Sequence, residues 1–446
     1  MKKYVSLLLS VMLMFVASAC TSDDGLETSK TEINEGQWHH TTMSLGISKE
    51  SFDAKGSAST RAITDEWQDG DKLYLRFVTF DGVVMGTARY SATKGLWDVS
   101  YNGTLNENIK SKLFVVFLDN VEAEGSESEE IPLDCFHGVY ADEDGTYILN
   151  SQNELKVKAS LKSLTSRVRI KSDVANVNFK LIGLTYYKGY NPNTHEFTLS
   201  SDTTVVRTST NKDKESRYIY VKSLIESNRQ IMLGRSYEEG SYIFKAICSN
   251  DMFVVGKSGV IKMPTKTNYN GWNMKQVSGM DEKGHVWVDL ELPSGILWAK
   301  YNFGANITKW QETGDSKYIL GNMCKWGSID YTNWSQTTTD IGGTNEDIVT
   351  MAWGDKWRIP NCGQVEELED NIFKSTIFYN SVQCRVCKGK NDEKIVLPMV
   401  DYWTSNPDDT SFEWAYTWNP GLSSFAGGFI KHKNDNWPIR PIYIKD

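Results

Sequence analysis

Two clusters of oxygen-bearing side chains near the C-terminus are candidate ligand-binding residues. They are Asn406, Asp408, Asp409, Asn434 and Asp435. Calcium takes about six to eight oxygen ligands, so both clusters would have to converge to hold it. Asn and Asp are also the residues that turns select, because their side chains bond the local backbone. We interpret both clusters as turns and as candidate ligand-binding positions, and we expect no metal and no cofactor.

Catalytic motifs are missing from the sequence. The six histidines are scattered, and none forms a pair with zinc-ligand spacing. A P-loop, a GxGxxG after a strand and a GxSxG elbow are also absent. Cys384 and Cys387 have CxxC spacing, but they lie in a predicted strand, where residues three apart face opposite ways. We therefore expect packing cysteines and a protein that is not an enzyme.

The N-terminus has the form of a secretion signal. Lys2 and Lys3 precede the apolar run Val5–Val16, which is too short to span a membrane. Small residues follow it at Ala17–Ala19. These features predict a lipoprotein signal peptide over residues 1–19, with a flexible tether over 20–45.

The small residues before Cys20 resemble a bacterial lipobox. The resemblance implies cleavage before Cys20, acylation of that cysteine and outer-membrane lipid as a partner. The alternative is an ordinary cleavage site with an incidental cysteine. Thr21–Asp24 resembles the acidic tether that directs some lipoproteins of anaerobic Gram-negative bacteria to the cell exterior. We expect a protein that is lipid-anchored in the outer membrane and faces outward.

Chain length and net charge limit the number of domains and the kinds of partner. The chain has 446 residues, enough for two or three domains with separate cores. Its formal net charge is −9, and it has no basic stripe. Because phosphate binding needs clustered Lys and Arg, we expect no nucleic-acid partner.

Alternating hydrophobic residues predict strands between residues 46 and 275. Leu73, Leu75 and Phe77 are one such set, and Arg167–Ile170 alternates as well. Turn signals such as Asp144-Gly145 separate the runs. The pattern favours β-sandwiches, with a break between two cores near Asp173.

The composition changes after about residue 283, where 11 of the 15 tryptophans lie. We expect most of them to build a core, because tryptophan buries a large area. Two short helices are predicted, one capped by Thr344 and the other by Asn361 with Gln364 three residues on. Helices among strands indicate an α+β domain.

Residues 46–275 resemble the fimbrillin family of pilins and pilus accessory lipoproteins. The matching segments are Ser59–Ala62, Trp67–Leu73, Leu161–Ile170 and Ile261–Pro264. The resemblance implies two sandwiches and candidate proteolytic processing at Arg61. The alternative is an arginine in an exposed loop that any trypsin-like enzyme would cut.

The C-terminal part resembles the Fibrobacter-type major paralogous domain. The matching segments are His285–Ala299, Trp353–Pro360, Tyr402–Ser405 and Ile439–Ile442. This family has a C-type-lectin-like fold, in which Asn, Pro and Asp residues such as those at 406–409 can ligate calcium and sugar. The chain departs from the family pattern over residues 299–305.

Together these features predict a mostly β chain, with two fimbrillin-like β-sandwich domains followed by an α+β C-type-lectin-like domain. The expected ranges are 46–172, 173–275 and 283–446. We expect a non-enzymatic surface lipoprotein, an adhesin or pilus tip or accessory subunit. Its expected partners are pilus subunits and a host or bacterial surface glycan or protein. The alternative is a stand-alone glycan- or protein-capture lipoprotein outside any pilus.

Overall fold

The computed structural model describes residues 38–50, 52–54, 67–119, 121, 130–201, 203–222, 230–247, 253–422 and 428–445. The signal peptide, Cys20 and Arg61 lie outside these residues. Strands make up 47% of the structure and helices 7%, which confirms the mostly β, multi-domain expectation. Within the described ranges, no helix is long and apolar enough to cross a membrane.

The strands in chain order are β1 (Trp38–Met43), β2 (Gly46–Lys49), β3 (Asp53–Ala54), β4 (Lys72–Thr79), β5 (Gly82–Ser91), β6 (Leu96–Asn102), β7 (Ser111–Leu118), β8 (Ile131–Pro132), β9 (Val139–Leu149), β10 (Leu155–Ser163), β11 (Thr165–Lys171), β12 (Asn178–Ile182), β13 (Tyr187–Asn191), β14 (Glu196–Leu199), β15 (Val206–Ser209), β16 (Ile219–Lys222), β17 (Gln230–Tyr237), β18 (Gly240–Ile247), β19 (Lys257–Lys262), β20 (Asn273–Gln276), β21 (Ser278–Met280), β22 (Val286–Val288), β23 (Leu297–Ala299), β24 (Trp357–Arg358), β25 (Phe373–Tyr379), β26 (Val382–Lys388), β27 (Lys394–Pro398), β28 (Tyr402–Pro407), β29 (Trp414–Trp418), β30 (Phe429–His432) and β31 (Ile442–Tyr443). The helices are α1 (Ile307–Thr313), α2 (Lys317–Leu320), α3 (Ile348–Trp353) and α4 (Cys362–Asn371).

The first β-domain is one eight-stranded sheet with the order β1-β6-β5-β4-β7-β9-β10-β2. In β10, buried and exposed residues alternate without exception, as the two-residue period of a strand requires. Residues from all eight strands pack into a single core, so the sheet curves around its own interior. The expected turn at Asp144-Gly145 is wrong. Strand β9 runs through it, with a register shift opposite Leu113–Val115 that marks a bulge.

The edges of this sheet are formed by the N-terminal segment. Strand β1 pairs with β6, and β2 pairs with β10 at the opposite edge. Strand β1 lies within the 20–45 range expected to be a flexible tether, so the described part of the first domain starts at Trp38 rather than at residue 46. The short polar β1 gives little periodic signal, because most of its residues are exposed and it is held by backbone pairing with β6.

The second β-domain is a sandwich of two sheets, β16-β11-β19-β3 and β15-β12-β17-β18-β20. Apolar residues from both sheets fill its core, among them Val168, Ile219, Leu181, Leu233 and Phe244. Strand β11 belongs to this sandwich, so the boundary between the two β-domains lies near residue 164 and not at residue 172. The sequence did not show this, because β11 pairs with β19, about 90 residues later in the chain.

A third sheet, β14-β13-β8, joins the two β-domains. Tyr190 of β13 is fully buried and packs edge-on against Tyr74 of β4, with ring centroids 5.5 Å apart. Val116, Leu118 and Val139 belong to the same cluster. The outer face of the first sheet is therefore covered by a hairpin from the second part of the chain.

The C-terminal domain contains the sheets β21-β22-β23-β31-β24, β25-β26-β27 and β28-β29-β30, together with all four described helices. Its first strand starts at Ser278, before the expected start at residue 283. Trp287, Trp298, Trp357 and Trp403 are buried as expected, and Trp353 is partly buried against the same core.

The two predicted helices are present in this domain. Helix α4 has the predicted capping box of Asn361 and Gln364, with Val365 and Leu368 fully buried. Helix α3, however, is capped by Asp347 and not by Thr344. The Asp347 carboxylate accepts hydrogen bonds from amides at the helix N-terminus and from two further backbone amides. Asp347 is therefore the N-cap residue.

Candidate ligand-binding cleft

The side chains of Asn406 and Asp408 accept hydrogen bonds from nearby residues of the protein. Oδ1 of Asn406 accepts a hydrogen bond from the amide of Cys362, 2.7 Å away, at the start of α4. The Asp408 carboxylate accepts from the amide and hydroxyl of Thr410. These polar side chains therefore have structural partners, whereas Asp409 is exposed in the turn before β29.

Asn434 and Asp435 lie in the turn that follows β30, where their amides bond to His432. Both oxygen-rich turns lie at one end of sheet β28-β29-β30. The amide of Asp408 bonds Trp414 at that end, and the amide of Lys433 bonds Glu413. Across the described part of the chain, no group of three or more His, Cys, Asp or Glu is arranged to hold a metal ion.

A buried lysine lies beside these turns. Lys433 is fully buried, and its Nζ donates to the carbonyl of Thr337 at 2.6 Å and lies 4.2 Å from the Trp326 ring centroid. Burial lowers the pKa of Lys433 to about 8, although the carboxylates of Glu346 and Asp408 act in the opposite direction.

We expect this lysine to make the stability of the protein rise with pH. Above pH 8 the folded state loses the Lys433 proton, while the unfolded chain keeps it up to a pKa of about 10.4, so the free energy of unfolding rises across that interval. Lys433→Met should remove this rise of the unfolding free energy with pH, whereas Lys309→Met, at an exposed position, should leave it in place. Urea unfolding between pH 7 and 9.5 measures it. Parallel slopes for wild type and Lys433→Met would contradict the expectation.

The cysteines of the described residues are free thiols: Cys135, Cys324, Cys362, Cys384 and Cys387. Cys384 and Cys387 are both fully buried in β26. Burial raises the pKa of Cys387 to about 12 and raises that of Cys384 as well, so both thiols stay protonated near neutral pH. Neither has the properties of a nucleophile.

A large cleft lies between the second β-domain and the C-terminal domain. Its volume is about 1170 Å³. One wall comes from β12, β15, β17 and β18, and the other from the Lys300–Asn302 segment, α1, and the region around β27. Pockets for drug-sized ligands are about 300–1000 Å³, so this cleft has room for a ligand of several rings or residues.

Charged side chains fix the two walls relative to one another. Lys180 bonds the carbonyl of Asn391 at 3.0 Å and the carboxylate of Glu393 at 2.9 Å. Arg207 pairs with Asp392. Further from the cleft, Lys245 pairs with Glu291 and Lys275 with Asp289. Basic residues of the sandwich thus meet acidic residues of the C-terminal domain across the interface.

The cleft is positively charged, although the chain as a whole is acidic. Its cationic lining residues are Lys180, Arg207, Arg217, Arg235, Lys300, Lys394 and Arg440. Its acidic ones are Glu215, Asp392 and Glu393, and each forms an ion pair with Lys or Arg. Five cations, Arg217, Arg235, Lys300, Lys394 and Arg440, have no ion-pair partner among the described residues. The cleft therefore favours a negatively charged ligand.

Three residues in the cleft lining are almost fully buried and carry a polar atom without a hydrogen-bond partner in the described structure. The atoms are Oδ1 of Asn302, Nε1 of Trp310 and Nε of Arg440. The exposed fractions of these residues are 2%, 5% and 1%. Because buried polar groups are normally paired, these three atoms are unsatisfied groups in the wall of the cleft.

Sequence reasoning missed this cleft as a site. Its lining residues run from Asn178 to Arg440, and no local motif joins the two walls. One signal pointed toward it: the Lys300–Asn302 segment lies within residues 299–305, where the sequence departs from the pattern that the rest of the C-terminal part resembles.

Comparisons with known proteins give only distant structural matches. No protein-family profile and no curated protein matches the chain. A fimbrial protein from Bacteroides ovatus is similar at 11% identity with a TM-score of 0.28, over 92% of this chain and 99% of that one.

Two further structures are similar at the same level. A Bacteroides uniformis protein provisionally described as a cell adhesion protein is 14% identical, with a TM-score of 0.29 over 51% of this chain and 97% of that one. A fimbrilin from Porphyromonas gingivalis is 13% identical, with a TM-score of 0.20 over 58% of this chain and 84% of that one. Similarity at this level does not assign a function.

Proposed function

We propose that the chain is a lipid-anchored cell-surface binding protein, an adhesin or pilus accessory subunit, whose ligand enters the cleft between the second β-domain and the C-terminal domain. The observation that supports the proposal is the cleft itself, which is large, positively charged and lined by unpartnered buried polar atoms. A C-type-lectin-like C-terminal domain would present it, held outward by acylated Cys20.

The pairing of the edge strands β1, β2 and β3 and of the central strand β31 supports an accessory role over a repeating one. Strands β1, β2 and β3 all lie at sheet edges, so cleavage at Arg61 and loss of the segment before it would open edges that can accept a strand from another protein. That segment carries Cys20, so the uncleaved chain would be held by its lipid anchor and the cleaved chain by the fibre. At the other end, β31 lies between β23 and β24 and is not free to be donated. A subunit that accepts a strand and keeps β31 paired would decorate or end a fibre. The same features also suit a stand-alone capture protein.

A whole-cell binding assay tests the proposal. Cells that display the full chain should adhere to a glycan or cell surface that control cells ignore. Cys20→Ala should release the protein and abolish adhesion, because stable anchoring needs the acyl chains. Ser209→Trp places an indole in the cleft and should abolish adhesion while display is retained. Ser151→Trp, at an exposed turn of the first β-domain, is the matched control.

The outcomes separate the parts of the proposal. Adhesion by Ser209→Trp cells at the wild-type level would refute the cleft as the binding site. Wild-type cells that adhere to no surface in a panel of glycans, host cells and bacteria would refute the adhesin function.

A further inference from the structure

At the floor of the cleft lies a buried cation without a counter-charge. Arg440 is 1% exposed, and its Nη atoms donate to the carbonyls of Ala299 at 3.1 Å and Val396 at 2.5 Å. Its Nε has no partner, and no carboxylate of the described residues pairs with it. Arginine keeps its charge in proteins, and a buried charge without a counter-ion is costly. A negative group of a ligand would supply the missing charge.

A hydrogen-bond donor and an acceptor belong to the same floor. Asn302 uses its Nδ2 on the carbonyl of Leu320 and the hydroxyl of Tyr402, which leaves Oδ1 unpaired. Trp310 packs on Tyr379 with ring centroids 5.0 Å apart, and its Nε1 has no partner. A simple anion cannot satisfy Asn302, because Oδ1 needs a donor. A ligand that carries hydroxyl or N–H groups besides its negative charge would supply that donor.

The rim of the cleft adds aromatic faces and further positive charge. Tyr301 and Tyr379 are 38% and 48% exposed, so part of each ring is accessible to a ligand. Lys300 and Lys394 are also exposed there. The C–H face of a sugar ring packs against an aromatic ring while its hydroxyls bond polar groups, which is the usual division of labour in a ligand pocket.

We propose that the cleft binds an acidic carbohydrate. Its negative group would lie toward Arg440, Lys300 and Lys394, its hydroxyls would bond Asn302 and Trp310, and a ring would pack on Tyr301 or Tyr379. This inference rests on the proposed function, which makes the cleft the ligand site. The negative group is a carboxylate or a sulfate ester, and both meet the same charge.

Titration calorimetry of the full chain carrying Cys20→Ala, purified without lipid, tests the proposal. The probes are a galacturonic acid oligosaccharide, its methyl ester, dextran sulfate fragments and a polyglutamate peptide. We expect the acid or the sulfate to bind at least about tenfold more tightly than the neutral ester, and the binding to weaken as salt is raised. The acid and sulfate arms identify which negative group is preferred.

Two changes in the cleft should reduce this binding without unfolding the protein. Lys300→Glu with Lys394→Glu reverses two exposed charges and should weaken binding about tenfold or more. Trp310→Phe keeps the packing on Tyr379 but removes the Nε1 donor, so it should weaken binding about threefold to tenfold. Lys156→Glu with Lys158→Glu makes the same charge change on exposed positions of β10 and should leave binding unchanged. Unfolding curves confirm that each variant is folded.

The possible failures differ from one another. Equal binding of the neutral ester would overturn the acidic class while leaving the cleft as a carbohydrate site. If polyglutamate binds and no sugar does, the acidic-carbohydrate proposal is wrong and the ligand is an acidic peptide. If Trp310→Phe and the lysine pair both bind as wild type does, the assigned floor is wrong. If no probe binds but displayed cells still adhere, the inference fails and the adhesin function survives.

Discussion

Replacing Asp347 with alanine should lower the free energy of unfolding of the C-terminal domain by about 4 kcal/mol or more. Asp347 is fully buried at the start of α3. Its Oδ1 accepts from the amides of Val349 and Thr350, and its Oδ2 accepts from those of Gly343 and Ile359, at 2.9–3.2 Å. Alanine would leave all four backbone donors without this acceptor. The amides of Val349 and Ile359 are buried, and unpaired buried groups are among the costliest single changes.

Two matched variants show whether the loss of stability comes from the cap at Asp347. Thr344→Ala removes the cap expected from the sequence, but its exposed hydroxyl bonds only local backbone, so we expect a loss within about 1 kcal/mol. Asp347→Asn keeps one acceptor oxygen and turns an amide NH₂ group toward two of the backbone donors. Its loss of unfolding free energy should therefore lie between those of Thr344→Ala and Asp347→Ala. Urea unfolding followed by tryptophan fluorescence measures all three. Equal losses for Thr344→Ala and Asp347→Ala would contradict the structure of this cap.

Purified protein treated with an arginine-specific protease should stay monomeric. Strand β31 is hydrogen-bonded on both sides, with Ile442 opposite Trp298 and Arg358, and Ile442 is fully buried. Flanking backbone bonds join Ala299 to Pro441 and Ile444 to Lys356, each at 2.8 Å. Withdrawing this strand for donation would break both ladders and expose the groups in them, so self-polymerisation is strongly disfavoured.

Size-exclusion chromatography with light scattering measures this result. Arg61→Lys is the control, because an arginine-specific enzyme cannot cut after lysine at that position. We expect one monomer peak from both chains, with a shift in mass only where cleavage removes the N-terminal segment. A ladder of homopolymers from the wild-type chain, absent from Arg61→Lys, would refute both the accessory role and the assignment of β31 as a locked strand.

The local features of the fold could be predicted from the sequence. Leu73, Leu75 and Phe77 are all fully buried in β4, as their alternation predicts. The capping box of Asn361 and Gln364 forms as predicted, because every partner lies within one helical turn. Motif tryptophans such as Trp298 and Trp403 are core residues. These signals work because period, cap and side-chain size act over a few neighbouring residues.

What the tertiary structure alone decided is which distant segments meet. The cap of α3 shifted to Asp347 partly through the amide of Ile359, which lies beyond the helix. Strand β11 joined the second sandwich through its pairing with β19. The cleft brings Lys180 and Arg207 together with Trp310, Asp392 and Arg440. Periodicity reports that a residue is buried but not which partner buries it. A site built across two domains therefore leaves no local pattern in the sequence.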